Sequence, residues 1–217
     1  MTAYLLLMPG IPMLFQGQEF AASSPFFYFA DHEIDLSRDV REGRRRFLRQ
    51  FPSLATSEMQ AKLADPGDID TFRRSVLDLS ERQGHASIYA LHRDLLALRR
   101  TDPVLGRRPF RIEGAALTDE AWILRFFSEP GADRLLIVNL GRDLLLGPAP
   151  EPLLAPVDGQ AWRLLWSSEA PRYGGAGVPA QDAEGDWLIP GQTATVLAPG
   201  PSARVPKKVS DLRKANG

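Results

Sequence analysis

The strongest hydrophobic signal near the start of the chain is residues 11–15, a short apolar run without polar alternation. Runs of this kind are typical of strands that are covered on both faces, as in parallel sheets. Pro9 and Pro12 end whatever precedes the run, because a helix cannot continue through proline. The polar residues 16–19 follow at the carboxyl end of the predicted strand, where barrels and open α/β sheets place their ligands.

Helical spacing of apolar residues marks three segments. Residues 2–8 predict the end of a helix. Residues 34–51 interleave arginines with carboxylates, which favours a solvated helix face over a phosphate or nucleic-acid surface. Residues 80–101 predict a long helix with Ser80 as N-cap and Gln83 as its capping-box partner. The expected apolar face of this last helix consists of Ile88, Ala90, Leu91, Leu95, Leu96 and Leu98.

Two irregular segments separate these elements. Residues 20–32 predict a loop rich in aromatic side chains, and residues 52–72 are dense in turn signals. Flat rings beside carboxylates and a histidine suit sugars, which present apolar C–H faces and hydroxyl rims. For Phe26 and Phe27 the alternative stays open that they pin the loop to the core.

The pattern changes after residue 103. Six short β-type runs predict an antiparallel sandwich: residues 110–117, 121–128, 134–140, 161–166, 186–189 and 194–198. Burial is favoured over an exposed starch-binding platform for the aromatic residues of this region. The expected core side chains are Trp122, Phe126, Leu135, Ile137, Trp162, Leu164, Trp166 and Val196. Residues 147–156 predict an extended spacer, and residues 201–217 predict a polar tail.

Composition limits the class of protein. The 217 residues suffice for one or two domains, and the net charge of −1 gives no field that would attract nucleic acid or an anionic membrane. The chain has no cysteine, which excludes disulfides and thiolate metal sites. His85 and His92 lack a third ligand, which argues against a metal site. We therefore expect a soluble, cytoplasmic protein with no cofactor and no nucleic-acid or membrane partner.

Four blocks of sequence carry a family resemblance. They read LLLMPGIPMLFQGQE at residues 5–19, SPFFYFADH at 24–32, QFPS at 50–53 and WSSEAPRYGG at 166–175. The first block resembles the last barrel strand of the α-amylase family, glycoside hydrolase family 13. The four blocks in this order are similar to those members of the family that release trehalose from the end of a maltooligosyl chain.

The resemblance implies a fold and a division of the chain. It implies an α+β chain in which the last β/α unit of a (β/α)₈ barrel precedes an antiparallel β-sandwich. Residues 1–103 would be a partial barrel segment, residues 104–200 the sandwich domain and residues 201–217 the tail. In that family the catalytic carboxylates lie upstream of this strand, so we expect the chain to be a C-terminal portion of the enzyme. About 103 residues are also too few to close a barrel, which needs on the order of 200 or more.

The resemblance also implies which residues meet substrate. No residue of this chain is expected to be catalytic. The polar and aromatic residues after the strand are expected to line the substrate cleft, once the rest of the barrel is present: Gln16, Gln18, Glu19, Tyr28, Asp31 and His32. The substrate would then be a maltooligosaccharide or maltooligosyltrehalose.

Two alternatives stay open at this point. The chain could be a non-catalytic protein that binds α-glucans or a protein partner. It could also be a small autonomous hydrolase that uses Glu19 and Asp31, because glycosidases normally cleave with two facing carboxyl groups.

Overall fold

The computed structural model describes residues 1–106, 111–128, 131–147, 151–157, 159–177 and 187–201. The chain forms two compact units. Unit 1 combines Met1–Leu14 with the described part of Ser87–Gly217, and unit 2 is Phe15–Ala86. The domain limits expected from the sequence, at residues 103/104 and 200/201, stay predictions.

Six α-helices lie in the described residues. They are α1 (Thr2–Leu7), α2 (Ile34–Leu48), α3 (Ser57–Ala61), α4 (Ile69–Arg73), α5 (Glu81–Gly84) and α6 (Ala86–Thr101). The side chains of Thr56 and Asp68 cap α3 and α4 by accepting backbone N–H groups, which explains two short helices in a segment that shows only turn signals in the sequence. No helix in this part of the chain has the length and apolarity needed to cross a membrane.

Seven strands follow in unit 1. They are β1 (Arg111–Ala116), β2 (Ala121–Phe127), β3 (Arg134–Asn139), β4 (Leu144–Leu146), β5 (Gln160–Ser167), β6 (Trp187–Ile189) and β7 (Thr193–Pro201). Five form an antiparallel sheet in the order β1-β2-β3-β7-β5, and β4 pairs with β6 in a second, two-stranded sheet.

The five-stranded sheet is buried on both faces at its centre, and every residue of β3 is buried. One face packs against α1 and α6, where Leu6, Leu7 and Leu95 join Leu136 and Val138. The other face carries Ile123, Leu135, Leu154, Trp162 and Ile189, the last from β6. Strand β3 has no polar alternation because it is covered on both sides. Unit 1 therefore has two hydrophobic clusters, one on each face of this sheet.

The strand predicted at residues 11–15 is wrong. This segment is extended but forms no ladder, and Ile11, Met13 and Phe15 are 100%, 85% and 57% exposed. A β-strand requires backbone N–H and C=O partners on a neighbouring strand. Within the described residues no strand lies beside this segment, so these three side chains are exposed, and Leu14 alone of its large apolar residues packs against a core cluster.

The helix predicted over residues 80–101 is two helices, because the chain leaves helical geometry at His85 (φ −108°, ψ 32°). Ser80 is the N-cap residue, but its side chain does not cap the helix. The expected capping box is therefore wrong: the Ser80 hydroxyl donates to Asp78 instead, at 2.6 Å. Ile88 on α6 is also more exposed than its place on the predicted apolar face implied.

The β region agrees closely with the sequence pattern. All six predicted strands are present, while the short β4 was not anticipated. Trp122 is half-buried against the core, and the other predicted core residues except one are buried. The exception is Leu164, 52% exposed, on the edge strand β5. A bulge between Leu164 and Trp166 then shifts the register of β5 against β7, so that Trp162 and Trp166 pack on opposite faces of the sheet. Residues 110, 148–150, 186 and 202–217 of the predicted strands, spacer and tail lie outside the described residues.

Candidate functional site

The polar residues that follow the extended segment form a tight turn in unit 2. Gly17 has φ +78° and Ala21 has φ +50°, and a short 3₁₀ helix, Gln18–Phe20, lies between them. A Cβ atom on Gly17 would lie 2.5 Å from the Cβ of Ala22, so only glycine fits this turn. Phe20 is fully buried, and the Arg82 guanidinium lies 5.2 Å from its ring centre. The turn is thus fixed by its own backbone and by one buried ring.

A row of hydrogen bonds anchors the loop after this turn. His85 Nδ1 lies 2.8 Å from the carbonyl oxygen of Phe20. The Ser23 backbone N–H donates to Glu81 at 2.8 Å, and its hydroxyl donates to the same carboxylate. The Phe27 backbone N–H donates to the Ser75 hydroxyl at 2.9 Å. The loop is therefore held at several points by residues 75–85.

The Glu81 carboxylate accepts two of these hydrogen bonds. Hydrogen bonds from the Ser23 hydroxyl and backbone N–H hold the pKa of Glu81 below its usual value. This contact was not predictable from the sequence, because Glu81 and Ser23 are separated by 58 residues. Glu81 is also an ordinary first-turn residue of a helix. Only the fold reveals its role as an anchor.

Three of the predicted substrate-lining residues belong to the turn itself. The Gln16 side chain is exposed, and its Nε2 lies 3.5 Å from the Ser75 carbonyl oxygen. The Gln18 side-chain oxygen accepts the Phe15 backbone N–H at 3.1 Å, so this hydrogen bond stabilises the turn. Glu19 is half-buried and lies 3.9 Å from Arg82. Gln16 is therefore the most accessible of the three.

The other three predicted residues lie further along the loop. Tyr28 is 42% exposed, and the Arg44 guanidinium of α2 lies 5.3 Å from its ring centre. Asp31 and His32 are exposed, just before α2 begins. Phe26 is exposed too, in an edge-to-face contact with Phe15, whereas Phe27 is half-buried beneath Arg74.

The contacts of the described residues do not join these six side chains into one constellation. Glu19 pairs with an arginine instead of facing a second carboxyl group. Within the described part of the chain, no group of three or more His, Asp or Glu side chains is arranged to hold a metal ion. Unit 2 thus presents exposed sugar-compatible groups on an anchored loop, without a paired acid and base.

The WSSEAPRYGG block has a structural explanation in unit 1. Trp166 Nε1 donates to the Tyr173 hydroxyl at 3.1 Å, and this hydroxyl donates to Asp94 of α6 at 2.8 Å. Arg172 lies 3.3 Å from the same carboxylate. Burial together with the Asp94 hydrogen bond raises the pKa of the Tyr173 hydroxyl. The block therefore connects the end of β5 to α6 and lies far in sequence from the turn at Gly17.

Comparison with known proteins agrees with this architecture. The family described as "Domain of unknown function (DUF3459)", a C-terminal domain of the α-amylase family, matches residues 109–186. A crystal structure of a Salmonella typhimurium protein assigned as an α-amylase superposes with a TM-score of 0.63 at 25% identity, covering 91% of this chain and 30% of that one. The chain is thus similar to the C-terminal part of α-amylase family proteins.

Curated relatives narrow the similarity within the family. The malto-oligosyltrehalose trehalohydrolase of Deinococcus radiodurans is 38% identical over 178 residues, 77% of this chain and 29% of the relative. The enzyme of the same name from Brevibacterium helvolum is 34% identical, covering 75% of this chain and 28% of the relative. The chain thus spans less than a third of the length of these relatives. The predicted fold class and the predicted resemblance are both confirmed.

Proposed function

We propose that this chain is the C-terminal segment of a trehalohydrolase, and that it acts on maltooligosyltrehalose only together with the catalytic part of such an enzyme. One observation carries the proposal. Unit 1 has hydrophobic clusters on both faces of its sheet, whereas Phe20 and Pro66 are the only buried apolar side chains that the structure describes in unit 2. Helix α2 buries no residue at all.

The exposed apolar side chains of unit 2 support the proposal that this unit needs a further part of the enzyme to cover it. They include Phe15, Phe26, Ile34, Leu36, Phe47, Phe51, Ile69, Phe72, Val76 and Leu79. A soluble monomer rarely exposes so many large apolar side chains within about 70 residues, and such surfaces mark interaction sites. The relatives provide a natural covering, since more than two thirds of their length lies outside the match to this chain.

The six loop residues fit a supporting role in such an enzyme. We propose that Gln16, Gln18, Glu19, Tyr28, Asp31 and His32 line the substrate cleft, where amide, carboxylate and imidazole groups bind sugar hydroxyls. The Tyr28 ring would pack against an apolar C–H face of a glucose unit. The acid and the nucleophile or base of glycoside hydrolysis would come from the catalytic part, as the family resemblance implies.

A chimera tests the proposal. This chain replaces the matching C-terminal region of the Deinococcus radiodurans enzyme, and trehalose release from maltooligosyltrehalose is measured for the chimera and for this chain alone. We expect turnover by the chimera and none by the chain. Trehalose release by the chain alone, or a folded chimera without activity, contradicts the proposal.

Variants of the chimera test the lining residues. Replacing Tyr28 or Asp31 by alanine should raise KM about tenfold, as loss of a stacking or hydrogen-bonding contact of 1–2 kcal/mol would. Arg38→Gln on the exposed face of α2 is the matched control and should leave KM unchanged. Equal KM values for all three variants would show that Tyr28 and Asp31 do not line the cleft.

A further inference from the structure

The loop that carries the six proposed lining residues bends at residues 20–23. Three of the lining residues, within 16–19, come before this bend, and the other three, within 28–32, come after it. Ala21 lies in the bend with φ +50° and ψ +51°, a left-handed conformation that is uncommon for a residue with a side chain. Strained backbone of this kind persists only where neighbouring contacts hold it, and it is concentrated at functional sites. The conformation of Ala21 therefore points to contacts that fix the bend.

Two side chains of α5 and its C-cap hold the bend at both ends. The His85 ring nitrogen Nδ1 lies 2.8 Å from the Phe20 carbonyl oxygen, and it donates this hydrogen bond because a carbonyl can only accept. The Glu81 carboxylate accepts the Ser23 backbone N–H at 2.8 Å and also the Ser23 hydroxyl. Ala21 thus lies between two residues that are each fixed by a side chain from residues 81–85.

These contacts are suited to fixing the path of the chain. Both act on backbone atoms, the carbonyl of Phe20 and the N–H of Ser23, so they orient the peptide groups on either side of Ala21. Hydrogen bonds to a charged carboxylate are stronger than those between neutral groups, and here one carboxylate accepts two. Neither Glu81 nor His85 is among the six lining residues. The two side chains therefore support the bend and are not themselves placed as substrate ligands.

We propose that Glu81 and His85 are positioning residues for substrate binding. They hold the bend at Ala21 and thereby keep the lining residues on its two sides in the arrangement that the substrate requires. This inference rests on the proposed function, because it takes the loop to be part of the substrate cleft. Neither residue touches the substrate, so their loss should weaken substrate binding without removing a reacting group.

Kinetics of the chimera described above test the positioning role. Glu81→Ala and His85→Ala should each raise KM for maltooligosyltrehalose about tenfold, with kcat within about threefold of that of the unsubstituted chimera. A role in folding alone would reduce the amount of active enzyme, so the apparent kcat would fall while KM stayed constant. An unchanged KM in both variants overturns the proposal.

A conservative variant tests the hydrogen bond to the Phe20 carbonyl. His85→Asn keeps an N–H donor close to the position of Nδ1, so its KM should stay within about threefold of that of the unsubstituted chimera. Equal KM values for His85→Asn and His85→Ala overturn the role of this hydrogen bond. Circular dichroism confirms that each variant retains its helices.

Glu58→Ala is the matched control for Glu81→Ala. Glu58 is also a first-turn carboxylate of a short helix in unit 2, but its side chain is 77% exposed and pairs with Lys62 of the same segment. Its replacement should leave KM unchanged. A rise in KM equal to that of Glu81→Ala would show that lost charge, and not the anchored bend, weakens binding, and it would overturn the proposal.

Amide exchange separates this inference from the proposed function. In the folded chimera, Glu81→Ala should speed exchange of the Ser23 amide about tenfold or more, because its hydrogen-bond acceptor is removed. Unchanged exchange overturns the anchor itself. An active chimera in which exchange rises but KM does not overturns the positioning role alone, whereas a folded chimera without activity overturns the proposed function and this inference together.

Discussion

Arg134 and Asp102 form a buried ion pair that ties β3 to the end of α6. Arg134 Nε lies 2.9 Å from Asp102 Oδ2, and the two side chains are 10% and 4% exposed. The other oxygen of Asp102 accepts the backbone N–H groups of Val104 and Leu105, each at 2.9 Å. Arg134 also donates to the carbonyls of Ala132 and Asp133. One carboxylate thus fixes both the arginine and the turn that leads out of the helix.

Replacing Asp102 by alanine should destabilise unit 1 by about 3–5 kcal/mol, because it leaves the Arg134 charge buried without its partner. The measurement is urea unfolding followed by tryptophan fluorescence. This probe reports on unit 1 specifically, since all four tryptophans, at positions 122, 162, 166 and 187, belong to it.

An exposed ion pair in the same unit is the control for this experiment. Glu113 lies 3.2 Å from Arg111 on β1, with side chains that are 45% and 54% exposed. Glu113→Ala should cost no more than about 1 kcal/mol, because water screens such pairs. Similar losses for the two variants would show that the Asp102 contact is no stronger than a surface pair.

The contact between Tyr173 and Asp94 should make stability depend on pH. Burial alone would raise the pKa of Asp94, but the Tyr173 hydrogen bond and the charges of Arg93 and Arg172 outweigh it and lower the pKa. A carboxyl group whose pKa is lower in the folded state stabilises the fold when the pH is above its unfolded-state pKa of 3.8. This stabilisation is lost as the pH falls through the folded-state pKa.

The difference in unfolding free energy between the native chain and Asp94→Asn tests this dependence. It should stay constant above about pH 5 and shrink as the pH falls below 3.8 and through the lower folded-state pKa. In a Tyr173→Phe background the shrinkage should be smaller, because the hydrogen bond that lowers the pKa is absent. A difference that stays constant over this range in both backgrounds would contradict the assignment.

Core position, more than residue type, should decide the effect of truncating a leucine. Leu136 on β3 is 1% exposed, and Leu164 on β5 is 52% exposed. Leu136→Ala should cost about 2–5 kcal/mol, from lost burial and the cavity left behind. Leu164→Ala should change stability by less than about 0.5 kcal/mol. Comparable losses in urea unfolding would show that Leu164 packs against the core.

The turn at Gly17 should reject any side chain. Gly17→Ala combines a left-handed backbone with a contact of 2.5 Å to Ala22. We therefore expect it to lower the free energy of local unfolding of the loop by about 1–3 kcal/mol. Faster amide exchange at residues 17–23 is the expected observation. Gly43→Ala is the control: Gly43 lies in the middle of α2, and no atom lies within 4 Å of its added Cβ. This change should instead stabilise the helical state of α2 by about 0.5–1 kcal/mol.

The local elements of this fold are largely predictable from the sequence. Apolar β-type runs and turn residues place β2 and β3 to within one residue and β7 to within three residues, because each strand has its partners inside the chain. Helix α2 is equally clear from its spacing. The bulge in β5 was not predictable, since an extra residue leaves no compositional mark, and it places Trp162 and Trp166 on opposite faces of the sheet.

The features that the sequence did not predict correctly all depend on contacts between residues far apart in the chain. Residues 11–15 have the composition of a buried strand, but the pairing that would make them one is not provided by the described residues. Likewise, the Ser23–Glu81 and Tyr173–Asp94 contacts join segments more than 50 residues apart. The family resemblance was enough to propose the six loop residues as substrate-lining. The hydrogen bonds between this loop and residues 75–85 were found only in the structure.

Hydrogen exchange of the chain alone tests most directly whether unit 2 depends on a covering that the described residues do not provide. The account predicts slow exchange for the amides of β2, β3 and β7, and exchange of the α2 amides faster by at least a hundredfold, because α2 buries no side chain. Protection of α2 equal to that of β3 would contradict it, since unit 2 would then be stable without the catalytic part of the enzyme.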